Sequence, residues 1–124
     1  MSDQKNLTPM PTTNSKIQIS TQAIATLAAH SAVRSYGIVG MAAKNVVAGI
    51  AATVTGDPHK GINIQLSADA IKIDLYVIVE YGTRISVVAR SVANMVKFNI
   101  EKSTNLPVTE VNVYVQGLRV SNPD

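Results

Sequence analysis

Cysteine and tryptophan are absent from this chain, and phenylalanine occurs once, as Phe98. Without cysteine, disulfides and thiolate metal centres are excluded, and a small secreted domain would more often carry such staples. With so few large aromatics, any core must be built from Val, Ile, Leu and Ala. Histidine is scarce too, at His30 and His59 only. No GxxxxGK[ST] or GxGxxG segment occurs, so a phosphate-cradling loop finds no support. The longest uncharged apolar run, Val46 to Val54, is far short of the ~20 residues that span a bilayer. The opening stretch, MSDQKNLTPMPTTNS, is polar and holds two prolines, without the apolar core of a secretory signal. The expectation is a cytosolic location with no direct membrane insertion.

Charge of either sign is also thin, with eleven Lys and Arg against eight Asp and Glu. The cations are scattered along the sequence rather than clustered, whereas a nucleic-acid binder concentrates them on one face or stripe. An RNA-binding open sheet would need an aromatic-rich motif, and only Tyr76 and Tyr114 are placed to stack on bases. No nucleic-acid partner is expected.

What is present is periodicity. The 124 residues suit one domain. Residues 1–15 read as a disordered tail, residues 16–120 as a single domain and 121–124 as a short C-terminal tail. Lys16-Ile17-Gln18-Ile19 alternates as a strand. Ser20 can cap a helix from Thr21 to about Tyr36, with Ile24, Leu27, Ala28 and Ser31 on one face and Gly37 as its left-handed stop. Residues 38–61 are the hardest to read; Val46, Val47, Ile50, Ala51 and Val54 have the spacing of a short second helix. Ile62 to Leu66 and Ile71 to Glu80 alternate around a Ser67–Ala70 turn, which predicts a hairpin. Ile85, Val88, Ala89, Val92, Met95, Val96 and Ile100 recur at helical spacing to Ser103, and Asn105 and Pro107 end that helix. A last strand runs from Val108 to Gln116.

The order is β-α-(α)-β-β-α-β, an α+β fold with a small mixed or antiparallel sheet and helices on one face. The inward face would hold Ile17, Ile19, Ile62, Ile64, Leu66, Ile71, Ile73, Leu75, Val77, Val79, Val111, Val113 and Val115. The long helix between the last two strands allows a parallel crossover. A ferredoxin-like arrangement is compatible with this order.

Catalytic groups are sparse. A Ser or Thr nucleophile needs a base, and His30 reads as a helix residue, His59 as a solvated loop residue in GDPHKG. Asp57 with His59 offers two metal ligands where zinc wants three or four. Asp74 and Glu80 share a strand face about 20 Å apart, too far for a glycosidase-type pair. The reading is a non-enzyme with no catalytic residues, no cofactor and no metal site.

Two surfaces remain as candidate interaction sites. One is the second side of the first helix, Ala25, Ala29, Val33 and Tyr36, where only Arg34 charges the whole element. Either residues 42–54 fold back over it or another chain covers it. The other is the outer sheet face, Lys72, Asp74, Tyr76, Ile78, Glu110, Asn112, Tyr114 and Gln116, where amphipathic tyrosines offer contact area at small entropic cost.

Four stretches in order carry a resemblance: Ile17–Ser20 leading into the first helix; YGIVGM at Tyr36–Met41; IDLYVIVEYGTRI at Ile73–Ile85; and EVNVYVQG at Glu110–Gly117. They resemble the alkaline shock protein family, small cell-envelope stress proteins typical of Gram-positive bacteria. The YGIVGM, VEYGT and VNVYVQG forms look most like the branch often encoded beside dihydroxyacetone-kinase-like proteins of the fatty acid kinase type. The resemblance implies an abundant, non-enzymatic cytosolic protein that self-associates into homo-oligomers. It also implies peripheral membrane association through a separate anchoring protein, or alternatively an accessory role to a kinase-type partner. It carries over no catalytic residue. The uncharged first helix and the longer middle segment depart from many relatives.

Overall fold

The computed structural model describes residues 7–10, 17–44, 54–67 and 70–120. Strand β1 (Leu7–Met10) pairs antiparallel with β2 (Ile17–Ser20) in a small sheet of its own. Two expectations change here. Part of the N-terminal segment read as tail is a strand, and β2 joins it instead of the main sheet. Pro9 in β1 disguises the strand in the sequence, because proline is tolerated only at a sheet edge. The remaining tail residues, 1–6, 11–15 and 121–124, lie outside the described residues.

Helix α1 (Thr21–Val33) starts where Ser20 Oγ accepts from the Ala23 amide at 3.1 Å. It ends before Tyr36, and Gly37 then turns the chain at a φ of +84° into β3 (Ile38–Met41). A strand at 38–41 was not foreseen. The helix expected at 46–54 lies outside the described residues except at Val54, which forms an antiparallel bridge with Ala42. A 3-10 turn (Pro58–Gly61) leads to β4 (Ile62–Leu66), then β5 (Ile71–Glu80), α2 (Ile85–Thr104) and β6 (Val108–Arg119).

The fold is α+β, and β5 is its centre. One edge of β5 is taken along its length by β6, in parallel. The other edge is shared end to end by two antiparallel strands, β4 beside residues 71–75 and β3 beside residues 77–79. The sheet is therefore mixed. It departs from a four-wide ferredoxin-like order because β3 and β4 divide one edge. The β4–β5 hairpin closes with the Ser67 amide bonding Ala70 O at 3.0 Å.

Both helices cover one face. Ile71, Ile73, Leu75, Val77 and Val79 of β5 are fully buried against them, with Ile19, Ile64, Leu66, Val111, Val113 and Val115 partly buried around this core. Ile17 belongs to β2, its side chain outside the description. Helix α2 buries Val88, Val92, Val96, Ile100 and Thr104. A strict i, i+4 row drifts ~40° around the helix per step, so the buried line winds and leaves Ile85 and Met95 substantially exposed. The helix stops at Asn105, left-handed at φ 58°, whose amide bonds Glu101 O at 2.8 Å.

Candidate interaction surface

The uncovered face of the sheet carries every second residue of β4, β5 and β6, and the register sets them in rows. Lys72 lies beside Glu110, Asp74 beside Asn112 and Asn63, and Tyr76 beside Tyr114. In the first row the Lys72 ammonium stands 3.4 Å from the Glu110 carboxylate. In the second, the Asn112 amide donates to Asp74 Oδ1 at 3.0 Å and to Glu110 Oε2 at 2.8 Å, while Asn63 donates to Asp74 Oδ2 at 3.3 Å. In the third, the two phenol rings stack with centroids 4.7 Å apart and planes 15° from parallel. The face is thus a tied polar array with one aromatic pair standing on it.

Its ionisable groups respond to this arrangement. The hydrogen bond from Asn112, then the Lys72 charge, hold the Glu110 carboxyl below the usual carboxylate range. Loss of hydration, then the Asp74 carboxylate and Tyr114, push the Tyr76 phenol up.

Further along, a bulge falls between Val77 and Ile78, and Gln116 drops out of the ladder without a register partner. The alternation on β6 flips there: Gly117 takes the place opposite Ile78. Ile78, expected on the exposed face, is 2% exposed. Its neighbours across both strands are glycines, Gly40 and Gly117. Val54 fills the space over Gly40, with Cγ1 2.7 Å from where a Cβ would stand. Among the described residues β6 pairs only with β5, so its other edge presents backbone donors and acceptors.

The residues named on α1 separate. Ala25 and Ala29 are 9% and 6% exposed within the chain itself and leave the candidate surface. They pack in the core cluster, and α1 is also contacted by β3, β4 and the 3-10 turn. Burial on two sides accounts for the helix's lack of charge. Val33 is partly exposed, and Tyr36, at 81%, is the most exposed large apolar side chain described. Neither lies on the uncovered face of the sheet.

Tyr81 escaped the sequence reading. Thr83 N and Oγ1 both bond Glu80 O, at 3.3 and 2.7 Å, and Gly82 has φ +96°. A positive φ at the third position is what a type II turn requires, and it leaves Tyr81 exposed at the corner. The VEYGT spelling was the available signal.

The fold also joins Asp57, His59 and Thr26. His59 Nδ1 is 3.3 Å from Asp57 Oδ1, and its Nε2 is 2.9 Å from Thr26 Oγ1. Thr26 sits mid-helix with its hydroxyl donating to Gln22 O at 3.0 Å. Amides in that part of α1 are engaged in helix bonding and give no oxyanion donors. The chain of contacts clasps the 3-10 turn onto α1. Among the described residues no group of three His, Asp or Glu gathers to hold a metal ion, and no helix is long and apolar enough to cross a membrane.

Among the described residues, a small mixed sheet carries helices on one face and a tied polar array on the other. The chain belongs to the alkaline shock protein 23 family, which has a cell envelope-related function and whose model matches residues 9–120. It is 43% identical over 110 residues to the uncharacterized protein YloU of Bacillus subtilis (strain 168), covering 87% of this chain and 92% of that one. It is 34% identical over 106 residues to the uncharacterized protein Spy1614 of Streptococcus pyogenes serotype M6, covering 84% and 88%. A third relative, YqhY of Bacillus subtilis, is 29% identical, covering 84% and 77%.

Proposed function

We propose that this chain is a non-enzymatic interaction protein of the cell-envelope stress type, which self-associates and binds protein partners through the outer face and free edge of β6. The observation that supports this reading is the stacked Tyr76–Tyr114 pair on the sheet face opposite the two helices, next to an edge of β6 that pairs with no other strand among the described residues. Tyrosine is enriched where protein interfaces concentrate their binding energy, and an open edge admits strand addition. Family membership supplies the envelope setting.

Tyr114 is 44% exposed, so replacing it removes contact area without opening the core. Tyr114→Ala is expected to weaken self-association by about 2 kcal/mol or more, roughly 30-fold in the dissociation constant. Loss of the Tyr76 stack costs the monomer only about 1 kcal/mol. Light scattering across a concentration series, with a thermal melt of the same variant, reads both. A folded Tyr114→Ala protein that assembles like the parent would refute the assignment of this surface.

A further inference from the structure

The sequence scatters its cations, but the fold gathers several of them. The helical layer, Thr21–Arg34 and Ile85–Thr104, carries Arg34, Arg90, Lys97 and Lys102 and a single carboxylate, Glu101. That carboxylate is already engaged, by Lys97 at 3.6 Å and by the Val108 amide at 2.9 Å. Arg90 and Lys102 form no ion pair among the described residues. The rows on the opposite side of the sheet hold Lys72, Asp74 and Glu110, one cation against two carboxylates. The domain is electrically two-sided.

The same helix face exposes apolar side chains at both ends of its crest, Val87 and Phe98. Val87, Ser91, Asn94 and Phe98 follow one another at intervals of four, three and four residues, which sets them in one stripe opposite the buried Val92–Val96 row. Phe98 is 60% exposed, and Val87 and Met95 are exposed with it. Together with Arg90 they line a shallow, open depression. By helical spacing Arg90 and Lys97 flank the crest on one side, where Glu101 pairs with Lys97, and Lys102 flanks it on the other. The Lys102 ammonium lies 5.8 Å from the Phe98 ring centroid.

We infer that the outer face of α2 adsorbs directly to an anionic lipid surface. Exposed apolar side chains with long cationic ones beside them suit an interfacial helix: Val87, Met95 and Phe98 enter the headgroup boundary while Arg90 on one side and Lys102 on the other reach phosphates beside it. The depression on this face is shallow and open, which favours a planar anionic surface over an acidic protein segment seated in a groove. This surface lies on the other side of the sheet from the Tyr76–Tyr114 array, so lipid adsorption and partner binding use different faces.

The test is flotation of the full chain with vesicles of phosphatidylcholine alone or with about a third phosphatidylglycerol, at about 0.1 M and about 1 M salt. Adsorption is expected only with phosphatidylglycerol and only at the lower salt. Each cation near such a surface contributes about fivefold, so Arg90→Gln with Lys102→Gln should weaken partitioning roughly 25-fold. Phe98→Ser should weaken it as well, while Lys60→Gln on the 3-10 turn leaves it unchanged. All these side chains are exposed, and thermal melts check that the variants remain folded. No flotation with phosphatidylglycerol, or equal flotation of the double variant and Lys60→Gln, would overturn the inference. Soluble poly-glutamate that removes the protein from vesicles at equal charge concentration would also overturn it, in favour of an acidic protein partner.

Discussion

Alanine in place of Gly37 is expected to destabilise the domain by about 3 kcal/mol, and the structure divides that cost into two separable parts. Gly37 has φ +84°, a backbone conformation that costs a residue with a Cβ roughly 1–2 kcal/mol. A Cβ there would also stand 2.6 Å from Val88 Cγ2 and 3.1 Å from Cγ1. Val88 is buried in the first turns of α2 and is β-branched, so it has little freedom to swing aside. Overpacking of this kind costs about 1–3 kcal/mol. For a domain of this size the sum lowers the melting temperature by about 10 °C. Urea unfolding of Gly37→Ala, Val88→Ala and the double variant separates the parts. In the Val88→Ala background the overlap is gone and only the backbone strain remains, so Gly37→Ala should cost about 1–2 kcal/mol there. A Gly37→Ala penalty that is the same in both backgrounds would refute the close approach of α2 to the 36–41 segment. A penalty below about 0.5 kcal/mol in the parent would refute the backbone reading as well.

Two further outcomes follow from buried and clustered polar groups. Thr104 is fully buried, donates to Ile100 O at 2.7 Å and accepts from the Leu106 amide at 3.2 Å; Thr104→Val keeps the shape but strands that amide, which should cost about 1–3 kcal/mol in urea unfolding. The Tyr76 phenol is raised above its ordinary value by desolvation, Asp74 and Tyr114. The native state thus holds its proton where the unfolded chain has lost it, and stability falls as pH rises from the ordinary phenol value toward the native one. Ultraviolet titration should show a phenol ionising above the ordinary tyrosine value, and Tyr76→Phe should remove that step.

The parts of the fold legible in the sequence are those where one period runs uninterrupted. The alternation from Ile71 to Val79 is one such run, and it appears as the fully buried face of β5. The β4–β5 hairpin and α2, with its Asn105 stop, follow for the same reason. The rest was hidden by short or ambiguous signals. Ile38-Val39-Gly40-Met41 is too brief to show a period, and Leu7-Thr8-Pro9-Met10 contains a residue that argues against strands. Ala25 and Ala29 carry too little hydrophobic contrast to show which way they face, and their burial depends on tertiary neighbours. The bulge at Gln116 is a backbone event that alternation cannot announce, yet it decides which residues past Val115 meet the outer face. On that face the pairs Lys72–Glu110, Asp74–Asn112 and Tyr76–Tyr114 could be placed on a common surface from alternation, but their registration depends on β5 and β6 running parallel.

That registration makes the outer face a prepared surface. Asp74 accepts amide hydrogen bonds from Asn63 on β4 and Asn112 on β6, so one carboxylate ties three strands together. Asn112 in turn reaches Glu110, and Glu110 is paired with Lys72. With these side chains committed to one another, the bare face keeps its polar groups satisfied and needs no helix to cover it. The Tyr76 and Tyr114 rings are already stacked, so ordering them on association costs less than ordering two free side chains. The phenols are the groups on this array with substantial apolar area to bury. A partner that covered them would have to match the fixed amides and carboxylates around them, because leaving any of those buried and unpaired would cost about 1–3 kcal/mol each. On the proposed function the tyrosines supply affinity, while the tied polar rows beside them select what can bind.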